Sequence, residues 1–310
     1  MAGLHVLKLI PQPTAVALLY AQQQLHAAAS SHVNMDNESK KIALIFNMDV
    51  GYCDVAVIAA TSKGKCQTKA STGSTIGGED LLGNMMCHLL PDSENIFKKH
   101  VHEDREIKSM ALLRGTVQKA ITQLLSQTSV KVDLELGDDL KIHKVMTREE
   151  FEGVNKEVFE KCERLIIQCL QDAKVEAKNI NDVIIVGGSW NIPKVENLVT
   201  KICKVKELYK GINPLEAALR GAAVAGAISL GIENSVGNLE FFDFNVTLLA
   251  IGIRANGNNF VPIIPRNTSV PTMRSVVFTT IHDTQTAALI VVYEGEAPKE
   301  GRRESPFRIF

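Results

Sequence analysis

Residues 42–60 read IALIFNMDVGYCDVAVIAA. Two apolar runs, 42–48 and 55–60, are separated by Asp49, Val50, Gly51, Tyr52 and Cys53, the length of a hairpin loop. Gly51 is the natural site of positive φ, since a residue without Cβ adopts it at no steric cost.

Upstream, residues 5–10 predict a short strand and residues 14–24 a helix whose first turn follows Pro13, where a missing N–H costs nothing. The amino end is apolar, but Pro11 and Pro13 split the run and no basic stretch precedes it, so it does not read as a secretory leader. A polar linker, 27–41, leads into the hairpin.

Downstream, residues 79–90, 109–127 and 148–173 space their apolar side chains as helices do. In the last of these, Phe151, Val154, Val158, Phe159, Cys162, Leu165, Ile166 and Leu170 make one broad face. Thr147 and Glu150 form a capping box at its start. Residues 182–186, DVIIV, are a continuous buried-type strand running into Gly187 and Gly188, and Pro193 then opens a helix to about 202. A further helix, 215–230, carries GAAVAGA, whose small side chains let a neighbouring backbone come close. After Gly231 the character changes: 241–253, 260–264, 276–281 and 287–293 are β-rich runs with turn signals at Asn256-Gly257 and Asp283-Thr284. A separate antiparallel unit is expected there, with the boundary near 231–240. The charged tail, 297–310, has no period that assigns it.

With 310 residues, 45% hydrophobic and 22% charged, the chain has length and apolar content for two cores. Its 34 Lys and Arg against 35 Asp and Glu leave a net charge of -1, so no global field attracts nucleic acid or an anionic membrane. Neither is expected as a partner. Cys53, Cys66, Cys87, Cys162, Cys169 and Cys203 form no CxxC and pair with no metal-spaced His, which suits reduced thiols in a cytoplasmic compartment.

Two loops are candidate phosphate cradles, the hairpin 47–53 and the turn Val186-Gly187-Gly188-Ser189 between a strand and a helix. The alternative is a tight turn with no ligand, because short glycine motifs are weak signals. His100 and His102 sit beside Glu103 and Asp104 in a highly charged stretch that reads as solvated rather than metal-binding. Ser189 lacks a nucleophile-elbow GxSxG, and Trp190 reads as a packing residue.

The segments AGLHVLKLIPQPTA, IALIFNMDVGYCDVAV, GGEDLL, IIVGGSWNIPKV, GINPLEAALRGAAVAGAI and FVPIIPRNTSVPT occur in the order found in the 70-kDa heat-shock chaperones, and the chain resembles that family over about residues 2–296. The resemblance implies an α/β, actin-like ATPase fold, incomplete, over 1–235. An interdomain linker at 236–246 and an all-β partial peptide-binding sandwich over 247–296 follow. It also implies a divergent member truncated at both ends, without the first phosphate loop, its metal-positioning Asp and the catalytic Lys.

Within the retained motifs the family pattern is broken. Where its second phosphate loop has Asp-Leu-Gly-Gly-Gly-Thr, this chain has Asn47, Met48, Asp49, Val50, Gly51 and Tyr52. An acid that would orient metal and water has become a neutral amide, and a hydroxyl donor a bulky phenol. Asp49 sets an anion against phosphate. Gln12 stands for a nucleotide-sensing Glu. Gln118, Ile121, Thr122 and Leu125 stand for the family's Glu, Lys, Arg and Ser in its adenosine-contacting helix. Asn191 and Leu215 replace an Arg and an Asp. Each hydrogen bond lost to a charged ligand costs about 1.5–3 kcal/mol, and a micromolar site has only about 8 kcal/mol in all.

The resemblance therefore implies a vestigial nucleotide site of Gly51, Gly77, Gly78, Gly187, Gly188, Ser189 and Asn191, with no catalytic residue and no metal ligand. The family's ATP or ADP with Mg is expected to bind weakly or not at all. Ile253, Phe278, Ile281, Ala288 and Ile290 align with its hydrophobic peptide groove, or else simply face a sandwich core. The linker 240–244, EFFDF, keeps an acid-then-apolar character that Asp243 interrupts. Three functions follow as expectations. The first is a pseudo-ATPase chaperone homologue that holds unfolded or apolar peptide segments with co-chaperones. The second is an ATP-driven chaperone. The third is an incomplete gene product with unpaired strand edges.

Overall fold

Alternate side chains of a strand point to opposite faces, and in residues 40–48 both faces find apolar partners. The computed structural model describes residues 3, 6–30, 39–89, 103–135, 141–188, 191–232, 246–255, 259–280, 282–295 and 308–309. In chain order the elements are α1 (Gln12–Ser30), β1 (Lys40–Met48), β2 (Cys53–Thr61), β3 (Cys66–Ser74), α2 (Gly78–Leu89), α3 (Glu103–Leu124), β4 (Ser129–Glu135) and β5 (Lys141–Thr147). They continue with α4 (Arg148–Val154), α5 (Lys156–Asp172), β6 (Asp182–Val186), α6 (Pro193–Cys203), α7 (Ala217–Ser229), β7 (Ala250–Ala255), β8 (Asn259–Ile264), β9 (Val292–Gly295) and β10 (Arg308–Ile309).

A four-stranded sheet of order β3-β2-β1-β6 forms the centre. β1 and β2 are the antiparallel hairpin of the opening sequence, and β6 lies parallel to β1 on its other side. Leu44, Phe46 and Met48 enter the core beneath α2, α3, α5 and α6, while Ala43 and Ile45 face α1 and α7. That two-sided cover explains why these strands carry almost no polar residue. On the second face Tyr20 is fully buried and its phenol donates to Asp182 Oδ2 at 2.5 Å. Burial, then that bond, pushes the phenol far above its ordinary pKa. α1 and α7 pack backbone to backbone: a Cβ placed on Gly221 would come within 1.9 Å of the Ala15 carbonyl oxygen.

The other sheets are a β4-β5 hairpin and a four-stranded β10-β9-β7-β8 unit. The latter touches the central unit through its 266–267 turn: Arg266 pairs with Asp172, and Asn267 Oδ1 accepts from the Ser71 N–H at 3.1 Å.

Several expectations change. The described part of 5–10 is irregular, and α1 is longer than 14–24. Helix 148–173 is broken at Asn155, which is fully buried and bonds Phe151 O and Asn84, so the capping box at Thr147 starts a short helix only. Gly51 does not take positive φ; Gly64, in the β2–β3 turn, and Gly187 do. β3, β4 and β5 were not anticipated. Residues 276–280 form no strand and 287–291 none, because neither acquires a ladder partner among the described residues. Of 241–253 only β7 and an isolated bridge at Val246 are regular among the described residues. Part of the tail, Arg308–Ile309, pairs with β9. His100, His102, Ser189, Trp190, Ile281 and the linker 240–244 lie outside the described residues.

Gly221→Ala is expected to destabilise the protein by about 1–3 kcal/mol or more through overpacking against α1. Gly226→Ala, five residues on with open space at its Cβ, is expected to add about 0.5–1 kcal/mol of stability. Chemical denaturation of both variants checks the pair; equal effects would contradict the α1–α7 packing.

Candidate functional site

The parallel pairing of β1 and β6 carries both strands to one end of the sheet, with Asn47 opposite Val186. There the loop 49–52, the turn before α2, residues 187–188 and the first turn of α1 converge. Glycine is required at two of these positions. At Gly77 a Cβ would lie 2.4 Å from Val50 O, and at Gly187, with φ +94, 2.4 Å from Met48 O. Gly188 faces Asp49, whose Oδ1 is 3.3 Å from where a Cβ would stand.

Six backbone donors around this cleft are engaged within the protein. Asp49 N–H donates to Tyr52 O at 3.0 Å, closing the hairpin loop, and Val50 N–H donates to the Asp49 carboxylate at 3.0 Å. At the N-terminus of α2, Gly77 N–H donates to Asp80 Oδ2 at 2.7 Å, Gly78 N–H to Asp49 O at 2.9 Å and Glu79 N–H to Val50 O at 2.7 Å. Gly187 N–H reaches Pro214 O at 3.3 Å.

Three polar residues of this end bond in series. Asn47 Nδ2 donates to Gln12 Oε1 at 2.9 Å, and Gln12 Nε2 donates to the Tyr52 hydroxyl oxygen at 2.6 Å. Asn47 is fully buried, and its Oδ1 has no hydrogen-bond partner among the described residues. Opposite it across the β1–β2 ladder is Asp54, whose carboxyl burial pushes above its usual range, partly offset by a hydrogen bond from Asn47. Burial, then the charges of Asp49 and Asp54, push the Tyr52 phenol up as well, against the bond to Gln12. The phenol therefore stays protonated.

Other expected site residues are scattered. Ile121 and Leu125 pack against the core, and Thr122 bonds back to Gln118 O at 2.9 Å, so this stretch of α3 serves its own fold. Nearby, Arg114 pairs with both carboxylate oxygens of Glu79, and that bond lowers the Glu79 carboxyl from its ordinary pKa. Asn191 and Leu215 are exposed. Of the groove candidates, Ile253 is buried in β7, whereas Phe278, Ala288 and Ile290 are exposed on irregular backbone. Asp54, Asp80 and the Pro214 carbonyl were missed; only Asp80, in the first turn of a helix opened by a diglycine, had a local signal.

Among the described residues no cluster of three or more His, Cys, Asp or Glu is arranged to hold a metal, and no helix is long and apolar enough to cross a membrane. All six cysteines are free, and burial pushes the Cys66, Cys169 and Cys203 thiols up to about 12.

The Hsp70 protein family model matches residues 1–304. The chain is 51% identical over 296 residues to Heat shock 70 kDa protein 8 of Arabidopsis thaliana, covering 96% of this chain and 50% of that protein. It is 36% identical over 302 residues to a ribosome-associated molecular chaperone of Zygosaccharomyces rouxii, covering 96% of this chain and 46% of that one. Over 301 residues it is 36% identical to a ribosome-associated molecular chaperone of Saccharomyces cerevisiae, with the same two shares of 96% and 46%. The chain thus spans about half the length of the curated relatives it matches. Its mixed α/β architecture, with partial sheets, is consistent with the family's actin-like nucleotide-binding fold. From the matched model and these identities together, the chain belongs to the Hsp70 family.

Proposed function

We propose that this chain is a heat-shock 70-type chaperone homologue that binds unfolded or exposed apolar peptide segments and neither binds ATP tightly nor hydrolyses it. Residues 1–235 then correspond to a partial nucleotide-binding unit, 236–246 to a linker and 247–296 to a partial peptide-binding unit. Its setting is the cytoplasm, alongside co-chaperones.

The chain of bonds from Asn47 through Gln12 to Tyr52 carries the reading. A Mg-nucleotide needs carboxylates to hold the ion and water, and free N–H groups to meet phosphate oxygens. Here the positions of two family acids are amides that bond each other, and the N–H groups of Asp49, Val50, Gly77, Gly78, Glu79 and Gly187 already have acceptors. The residues present do not fit the group. Asp49, beside Gly188, adds a negative side chain where phosphate would approach.

Support for peptide binding is of a different kind. Val277 and Leu289 are 93% and 91% exposed, flanked by half-exposed Phe278 and Ile290, on irregular backbone without a ladder partner among the described residues. Such backbone offers strand-type hydrogen bonds together with apolar side chains, the two elements of peptide capture by strand addition. The competing reading, an ATP-driven chaperone, draws on the retained glycines at 77–78 and 187–188.

Calorimetric titration with Mg·ATP is expected to show no binding tighter than about 100 μM, which is about 5.5 kcal/mol, and no phosphate release. Micromolar binding with turnover that Gly187→Ala abolishes would establish the competing reading. In Asn47→Asp the new carboxyl is buried opposite Asp54, so its folded pKa is raised. The destabilisation, about 2–3 kcal/mol, is then full at pH 7 and disappears as pH falls below the unfolded value of about 3.9. Thermal melts against wild type at both pH values check this; a loss independent of pH would contradict the burial of position 47. Phe278→Asp with Ile290→Asp is expected to weaken binding of a labelled apolar peptide about tenfold or more, read by anisotropy, and an unchanged affinity would move the peptide site elsewhere.

A further inference from the structure

The net charge of -1 conceals a segregated distribution. At the end of the sheet opposite the cleft, Lys40 opens β1, Lys63 lies in the β2–β3 turn, and Lys204 and Lys206 follow α6, all of them exposed. Backbone bonds tie these segments side by side. Ser62 N–H donates to Ser39 O at 3.0 Å, Asn181 N–H to Ile42 O at 2.8 Å and Tyr209 N–H to Val183 O at 2.8 Å. Three strand-to-strand steps of about 4.8 Å give a stripe about 15 Å long.

Among the described residues the acids at this end are already engaged. Asp182 accepts the Tyr20 hydroxyl and lies 3.7 Å from Lys41 Nζ, and Glu207 is paired with Lys210 at 2.8 Å. Lys40, Lys63, Lys204 and Lys206 have no acidic partner among the described residues. Within the stripe a cavity of about 550 Å³ is lined by Asp182, Lys204, Lys206, Tyr209 and neighbouring residues.

We infer that this lysine stripe is a binding surface for the phosphodiester backbone of a single-stranded nucleic acid. Charge complementarity argues for it: along about 15 Å an extended single strand presents about three phosphates to the four lysines. The absence of apolar anchors argues against a peptide partner or an inserting membrane contact. Protein interfaces depend on buried aromatic and other apolar anchors, and no large apolar side chain of the described segments 39–42, 61–66, 180–183 or 204–210 is exposed. Lysine acts on phosphate as a point charge, needing no fixed fork geometry. Binding of this type is independent of base sequence.

Anisotropy of a labelled oligouridylate with the full chain tests the inference. About three neutralised phosphates give a log–log salt slope of about −2, so affinity falls about twentyfold between about 50 and about 200 mM salt. Combining Lys40→Gln, Lys63→Gln, Lys204→Gln and Lys206→Gln is expected to weaken binding at least about tenfold and flatten the slope. Lys119→Gln with Lys131→Gln, on exposed sites elsewhere, is expected to change neither. Circular-dichroism melts establish that each variant is folded, and Lys63→Gln with Lys206→Gln serves if the fourfold variant is not. Unchanged binding by the stripe variant would overturn the inference. So would a poly-glutamate peptide or phosphatidylserine vesicles binding as tightly as the oligonucleotide.

Discussion

The ladder between β1 and β6, from Ala43 opposite Asp182 to Asn47 opposite Val186, is the constraint on which the rest depends. It joins a hairpin to a strand more than a hundred residues later and sets two loops against each other at one end of the sheet. The same ladder fixes what meets at the other end, where Asp182 and the segment after α6 lie beside the start of β1. Because both faces of β1 are covered, a slip by one residue would exchange the two apolar clusters and break both ends at once.

At the cleft end, local changes compensate each other. Two carboxylates at the positions of Gln12 and Asn47, so close together and partly buried, would repel without a cation between them. Two amides attract instead. The phenol of Tyr52 then closes the series, accepting from an amide where a small hydroxyl would have faced phosphate. The scaffold that once required glycines still requires them at 77 and 187, since those contacts are with backbone carbonyls of the protein itself.

Much of the central fold was legible in the sequence. The runs 42–48, 55–60 and 182–186 are strands because their residues are apolar on both faces, and Thr147 with Glu150 caps a helix as their spacing indicates. β3 was hidden by its polar composition, CQTKASTGS, since its place at the sheet edge leaves every second residue partly exposed. β4 shows strict alternation, SVKVDLE, and was there to be read. The break at Asn155 was not read from the sequence, because one of the bonds that fix it, from Asn84, is tertiary. In the β unit, propensity alone suggested strands at 276–281 and 287–293; of their described residues only Val292 and Tyr293 pair, in β9, because a strand exists only with a hydrogen-bonded neighbour. For the site, the substituted positions could be read one by one; that three of them bond to one another could not.

Amide hydrogen exchange, with and without millimolar Mg·ATP, tests the central claim most directly. The N–H groups of Asp49, Val50, Gly77, Gly78, Glu79 and Gly187 have acceptors within the protein, so their protection is expected to be present without nucleotide and unchanged by it. Protection that appears at these amides only when nucleotide is added would contradict the account.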